Sequence, residues 1–155
     1  MYITLKMEIQ EQEYTLEVNL ANRAGRIYRQ QFNRDILKDM TDLYKKLHKS
    51  PFDVIDMSRI EYDGKTDQEI YAQIVENVDV TKLLMDQDDA TALSFEETER
   101  AGQIIWAFVK NRDANTPNYE DWIDEYDFIL PVDQIVSSLF EAWNKSAQPT
   151  IELKN

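Results

Sequence analysis

Residues 104–109 read Ile-Ile-Trp-Ala-Phe-Val. Upstream, Ser94 to Glu97 spells Ser-x-x-Glu, a capping-box pattern that opens a helix. A helix that runs from this cap through 104–109 is apolar on every side there, and such a helix is normally buried. The rest of the chain is therefore expected to wrap it. The chain has 155 residues, so one domain is the default, and a domain of this size hides roughly 68–70% of its unfolded surface. With 43% hydrophobic and 11% aromatic residues the chain is too rich for intrinsic disorder.

The N-terminus has a different period. Ile3, Leu5, Met7 and Ile9 alternate with polar residues, and Tyr14, Leu16, Val18 and Leu20 do the same. Two half-buried strands joined over Gln10 to Glu13 form a hairpin, although no Gly or Asn sits in that turn. A lone hairpin is marginal in water, so its apolar face needs helices to cover it.

Helical spacing follows. Asn19 or Asn22 is placed to cap a short helix up to about Phe32, and Asn33 suits a left-handed bend. Ile36, Met40, Leu43, Tyr44 and Leu47, with Leu37 alongside, mark a second helix that ends before Ser50-Pro51. Residues 51–65 read as irregular, closing on the turn signal Asp63-Gly64. Thr66 to Glu69 is another capping box, ahead of a stripe of Ile70, Tyr71, Ile74, Val75 and Val78. After the central helix, Asn111 to Asn118 is a polar loop. Thr116 or Asn118 caps the next helix, with Pro117 at its start and Glu120 and Asp121 suiting its dipole. Beyond Leu130-Pro131, Val132, Ile135, Val136, Leu139, Phe140 and Trp143 give the cleanest amphipathic pattern in the chain. The expected fold is α+β, mostly α, with an N-terminal β-hairpin followed by about five packed helices. Residues 1–146 are expected to form a single globular domain (1–21 hairpin, 22–146 helical), with 147–155 a flexible tail.

Chemistry is scarce. Thirty acids against 17 Lys plus Arg give a formal charge of -13, which disfavours nucleic acid and anionic membrane surfaces as partners. There is no Cys, so disulfides and thiolate sites are excluded. The single His48 reads as a basic residue near a helix C-terminus rather than as a catalytic base or one of several metal ligands. No apolar run is long enough for a membrane span, and the opening MYITLKMEIQ lacks the pattern of a signal peptide. No Gly-rich phosphate loop occurs. Counted from Asp86, Asp88 and Glu97 fall at calcium-loop positions, but Ala90 and Thr91 replace a ligand and the turn glycine, so the segment reads as a solvated acidic loop. Catalytic, cofactor and metal sites are not expected, and the chain is not expected to be an enzyme. Trp106, Phe140 and Trp143 fit buried stripes. Tyr119, Trp122 and Tyr126 recur at spacings of 3 and 4, ringed by Glu120, Asp121, Asp124, Glu125 and Asp127, with Phe128 close by. As core residues they seal the fold. As a surface, Tyr119, Trp122, Tyr126 and Phe128 make an aromatic stripe in an acidic surround, fit to receive a basic amphipathic helix.

Three stretches share a further likeness: Tyr28 to Met40 (YRQQFNRDILKDM), residues 105–128 (IWAFVKNRDANTPNYEDWIDEYDF), and the closing Leu139-Phe140-Glu141-Ala142-Trp143-Asn144. Their order resembles the tail assembly chaperones of long-tailed phages of Gram-positive bacteria. That family has a hairpin opening, a Phe-Gly-Asp-Ile-Leu type bend, a Trp-Ala-Met-Ala-Lys helix, a polar loop with Pro, a Tyr/Phe-Glu-Glu-Trp-Leu helix and a closing Leu-Trp-Asn. Here Asn33-Arg34 replaces the bend Gly, Phe108-Val109-Lys110 replaces Met-Ala-Lys, and Glu120-Asp121-Trp122-Ile123 replaces Glu-Glu-Trp-Leu. The likeness covers most of the chain except residues 51–93, and it rests on packing residues in a fixed order.

The resemblance implies a non-enzymatic holdase in the bacterial host cytoplasm during virion assembly, absent from the mature virion. Its partner would be the tape measure protein, kept soluble until tail tube subunits polymerise around it. A frameshifted longer form, joined around Ile151 to Asn155, would recruit the tail tube protein, and weak self-association is compatible with this role. No cofactor, nucleic acid or membrane enters it. The alternative from another class is an acidic DNA mimic or regulatory inhibitor of phage origin. A mimic needs carboxylates spaced like phosphates on one face, whereas a holdase needs an apolar or aromatic groove.

Overall fold

A computed structural model describes residues 1–48, 57–79 and 93–146. The fold is α+β and mostly α: an antiparallel hairpin leads into six α-helices among the described residues. They are β1 (Tyr2–Ile9), β2 (Gln12–Asn19), α1 (Arg23–Phe32), α2 (Ile36–Leu47), α3 (Asp67–Glu76), α4 (Phe95–Arg112), α5 (Tyr119–Asp124) and α6 (Val132–Ser146), with a 3-10 turn at Met57–Arg59. Contacts group the chain into two compact units, Met1–Lys45 with Leu93–Asn155, and Lys46–Ala92.

In the first unit α4 is the hub. Ile104, Ile105, Trp106, Ala107 and Phe108 are buried in succession, because α1, β2, α5 and α6 each pack against this helix. Ser94 and Glu97 form the full capping box at its start. At its far end Lys110 Nζ donates to the carbonyls of Ala114 (2.9 Å) and Thr116 (2.6 Å), tying down the loop that follows. Helix α4 runs to Arg112, so that loop is shorter than expected. Trp106 is buried, whereas Phe140 and Trp143 are half-buried at the edge of the core.

The hairpin loop holds only Gln10 and Glu11, since Ile9 pairs with Gln12. Both loop residues are left-handed, with φ of 52° and 65°. That is the primed turn whose twist matches paired strands, reached here without the Asn or Gly that favours it. β1 spans the expected 2–9, whereas β2 starts at Gln12, two residues before the alternation at Tyr14. Leu16, Val18 and Leu20 of the second arm are buried, while Ile3, Leu5, Met7 and Ile9 are half-buried.

The α1–α2 bend is fixed by three consecutive residues. Asn33 takes the left-handed conformation (φ 54°, ψ 41°) at the end of α1. Asp35 Oδ1 accepts from the amides of Leu37 (2.9 Å) and Lys38 (3.2 Å), capping α2. Arg34 reaches Asp39 with both Nε (2.7 Å) and Nη2 (2.9 Å), and Tyr28 donates its hydroxyl to the same carboxylate at 2.6 Å. Asp39 sits in the inward stripe with Ile36, Met40 and Leu43 and is 2% exposed. Burial pushes its pKa up, but the bonds from Arg34 and Tyr28 outweigh that and hold it below the ordinary carboxylate range. Burial, together with Asp39, pushes the Tyr28 hydroxyl well above its usual value. Asn22 stands at the N-cap of α1, but its side chain makes no capping bond.

In the second unit Thr66 caps α3 by accepting from Glu69 N–H at 3.2 Å. Gln73 clamps the preceding segment, accepting from Glu61 N–H (2.8 Å) and donating to Glu61 O (2.9 Å). Gly64 takes the positive φ of 72° that its turn needs. The expected α3 stripe divides: Ile70, Ile74 and Val78 are half-buried, whereas Tyr71 and Val75 are 70% and 57% exposed. Ser50-Pro51, the acidic stretch Asp86 to Asp89, and the tail 147–155 lie outside the described residues.

Two stability changes are expected. Replacing Gln10-Glu11 by Asn-Gly suits both left-handed positions and should raise stability by about 1 kcal/mol in denaturant titration. Asp39→Asn should cost about 2 kcal/mol near neutral pH, since Tyr28 and Arg34 then face a neutral acceptor. The Asp39 pKa is depressed on folding, so its contribution is complete above the unfolded carboxylate value and fades as pH falls through the folded one. The gap between wild type and variant should close over that acid interval.

Candidate partner-binding groove

Helix α4 presents Phe95, Thr98, Glu99 and Gly102 along one side, at positions i, i+3, i+4 and i+7. Across from them stand Tyr119, Glu120, Ile123 and Asp124 of α5. The connection to α6 closes the third side with Phe128, Ile129, Leu130 and Val132. Together they enclose a groove of about 440 Å3. Leu130 and Val132 are buried, while Phe95 and Ile129 stand at 87% and 91% exposure. Glu99, Glu120 and Asp124 supply its charge, with no Lys or Arg among its lining residues.

Local sequence explains each wall. The Ser94–Glu97 box fixes the first turn of α4 and with it the backbone of Phe95. Asn118 Oδ1 accepts from Asp121 N–H at 2.9 Å and starts α5; Thr116, the other candidate cap, instead donates to Asp113 O at 2.7 Å. Trp106 Nε1 donates to Pro117 O at 2.8 Å, pinning the approach to α5 onto the core. Gly102 lets Tyr119 lie against α4, because a Cβ there would come within 2.7 Å of the Tyr119 hydroxyl oxygen. That hydroxyl is aimed at Glu99 O, 3.4 Å away. Burial first, then the carboxylates of Glu99 and Asp124, push its pKa up to about 12, so it stays protonated at neutral pH.

The four aromatics named from sequence do gather. Ring centroids are 6.4 Å apart for Tyr119 and Trp122, 5.4 Å for Trp122 and Tyr126, and 5.5 Å for Tyr126 and Phe128. The chain of rings continues to Phe32 at one end and to Tyr14 at the other. Its members differ in access. Trp122 is 4% exposed and lies in the core, whereas Tyr126, past the end of α5, is half-buried against it. Tyr119 and Phe128 line the groove; Trp122 and Tyr126 lie outside its lining. Helix α5 has six residues, too few for the 119–126 spacing to stay on one helical face.

Phe95 and Ile129 are the exposed apolar lining residues that spacing did not single out. Phe95 follows a cap directly, and Ile129 precedes Leu130-Pro131, so neither belongs to a periodic stripe. The available sign was an apolar residue at an end of an element. Among the described residues no three His, Asp or Glu side chains group in a way that holds a metal, and Glu97 is used by its capping box. No helix among them is long and apolar enough to cross a membrane. Comparison with family models, curated proteins and solved structures finds no match to this chain.

The Gly102–Tyr119 contact can be tested by paired substitution. Gly102→Ala alone should destabilise by about 1 kcal/mol, because displacement of a packed ring outweighs the gain in helix propensity. In a Tyr119→Phe background the nearest ring atom is 3.4 Å away, and the same change should then stabilise by up to about 1 kcal/mol. Thermal denaturation of the four proteins checks the sign reversal.

Proposed function

We propose that this chain is a tail assembly chaperone of a long-tailed phage, which binds the tape measure protein in the host cytoplasm and keeps it soluble while the tail tube forms around it. The observation that carries the reading is an apolar groove with two large residues exposed at its rim and acidic side chains along its walls. A long amphipathic client exposes apolar stripes that aggregate when left bare. A stripe flanked by Lys or Arg places its apolar side chains against Phe95, Ile129 and Phe128, and its cations near Glu99, Glu120 and Asp124. The remaining negative charge of the chain, -13 in all, keeps a coated client soluble through self-repulsion. Many weak contacts along a rod gain strength from multivalency and still release when tube subunits compete. A frameshifted longer form would bring the tube protein to the same complex. The order of packing residues shared with the family supports the same role.

Co-expression with a tape measure protein of such a phage supplies the test. Wild type should keep the client in the soluble fraction, with complex formation weakening as salt shortens the Debye length from about 30 Å to about 3 Å. Phe95→Ser with Ile129→Ser should leave thermal stability nearly unchanged, since both side chains face water, yet return the client to the pellet. A client equally soluble with the double variant, or insoluble with wild type, sinks the proposal.

A further inference from the structure

The phase of the hairpin ladder decides what its outer edge offers. Leu20 N–H donates to Met1 O at 2.8 Å, and the N-terminal amine donates to Leu20 O at 3.2 Å. Such narrow pairs recur at every second residue of an antiparallel ladder, here at Ile3↔Val18, Leu5↔Leu16, Met7↔Tyr14 and Ile9↔Gln12. The odd-numbered residues of β1 therefore turn their backbone groups toward β2. Thr4, Lys6 and Glu8 direct theirs away from it.

The outer edge of β2 is occupied. Asn111 Nδ2 donates to Asn19 O at 3.0 Å, and Arg112 stands 3.9 Å from the Glu17 carboxylate. Among the described residues the outer edge of β1 has no strand beside it. The apolar row of Ile3, Leu5, Met7 and Ile9 is only half-buried, so it reaches past what the helices cover. Charge is also unbalanced there. Glu8 stands opposite Glu13, and Lys6 stands opposite Thr15; like charges directly opposite one another destabilise a ladder.

We infer that β1 pairs antiparallel with β1 of a second copy about a two-fold axis at Met7, giving a four-stranded sheet. Outward backbone groups meet only when even-numbered residues face even-numbered residues. In the register centred on Met7, Lys6 faces Glu8 of the second copy, and the symmetry repeats the pair. Leu5 then faces Ile9 and Met7 faces Met7, which continues the apolar row across the junction. The next register in one direction sets Lys6 against Lys6, and the next in the other sets Glu8 against Glu8. Charge complementarity thus favours the Met7 alignment over both of its neighbours, and a second copy as occupant. Helix α4 packs over β2, so the helical bodies flank the new junction. The inference stands apart from the client groove.

Charge exchange tests it by sedimentation. Wild type should show a concentration-dependent dimer. K6E and E8K should each weaken it about tenfold or more, through two like-charge pairs per dimer. An equimolar mixture of K6E and E8K should recover dimer, because each variant then offers the other opposite charges. E8K should at the same time raise the melting temperature of the monomer, since the introduced cation faces Glu13, which separates loss of pairing from loss of fold. A wild type that stays monomeric overturns the inference, even if the edge accepts an extended segment of another protein. Single variants that dimerise like wild type, or a mixture no stronger than its components, overturn it too.

Discussion

The run from Ile104 to Phe108, buried throughout, leaves this stretch of α4 no side to turn toward water, and the first unit is arranged around that demand. One face takes α1, another the buried arm of the hairpin, and α5 and α6 complete the ring. Apolar burial of roughly 25 cal/mol per Å2 drives the arrangement, but it has no direction of its own. Direction comes from polar fixtures at the ends of elements: the Ser94–Glu97 box, the Lys110 bonds to the following loop, and the Trp106 bond to Pro117. These bonds place α5 beside the first half of α4, and the groove is the space left where the two helices and the Phe128–Val132 segment meet.

The bend between α1 and α2 shows the same division of labour. Ile36, Met40 and Leu43 supply the burial. The angle is set by a left-handed Asn33, the Asp35 cap and a buried carboxylate. Asn33 takes the positive φ there, and Arg34 pairs with Asp39. A carboxylate this deep is tolerable because three donor bonds from two residues satisfy it.

Where an element repeats its own pattern, its place was legible. Alternation located both strands, the 132–143 spacing located α6, and the all-round apolar run located the hub. Boundaries that rest on special backbone conformations were not. Gln10 and Glu11 carry no turn signal, yet they adopt the turn, because pairing of the flanking strands dominates their weak local preference. Asp39 was within reach: it falls at the inward spacing of α2, where an acid must find partners. The groove was half legible. Tyr119 and Phe128 stood out as aromatics among acids, but spacing suggested a longer helix than the six residues that form, and on such a helix Trp122 and Tyr126 would be equally accessible. Phe95 and Ile129 escaped because exposure at an element's end depends on what the neighbouring elements leave uncovered, which is a tertiary property.

The position of Phe95 has a thermodynamic consequence. Its ring stands in water while the backbone beneath it is locked by hydrogen bonds of the helix start. A chain docking as proposed would therefore meet a rim whose main chain is set beforehand, and most of the disorder lost on docking would be lost by that chain. Affinity for a segment docking there should then track how nearly that segment is coiled before contact, so a preformed long helix would be held more tightly than a floppy segment of the same composition.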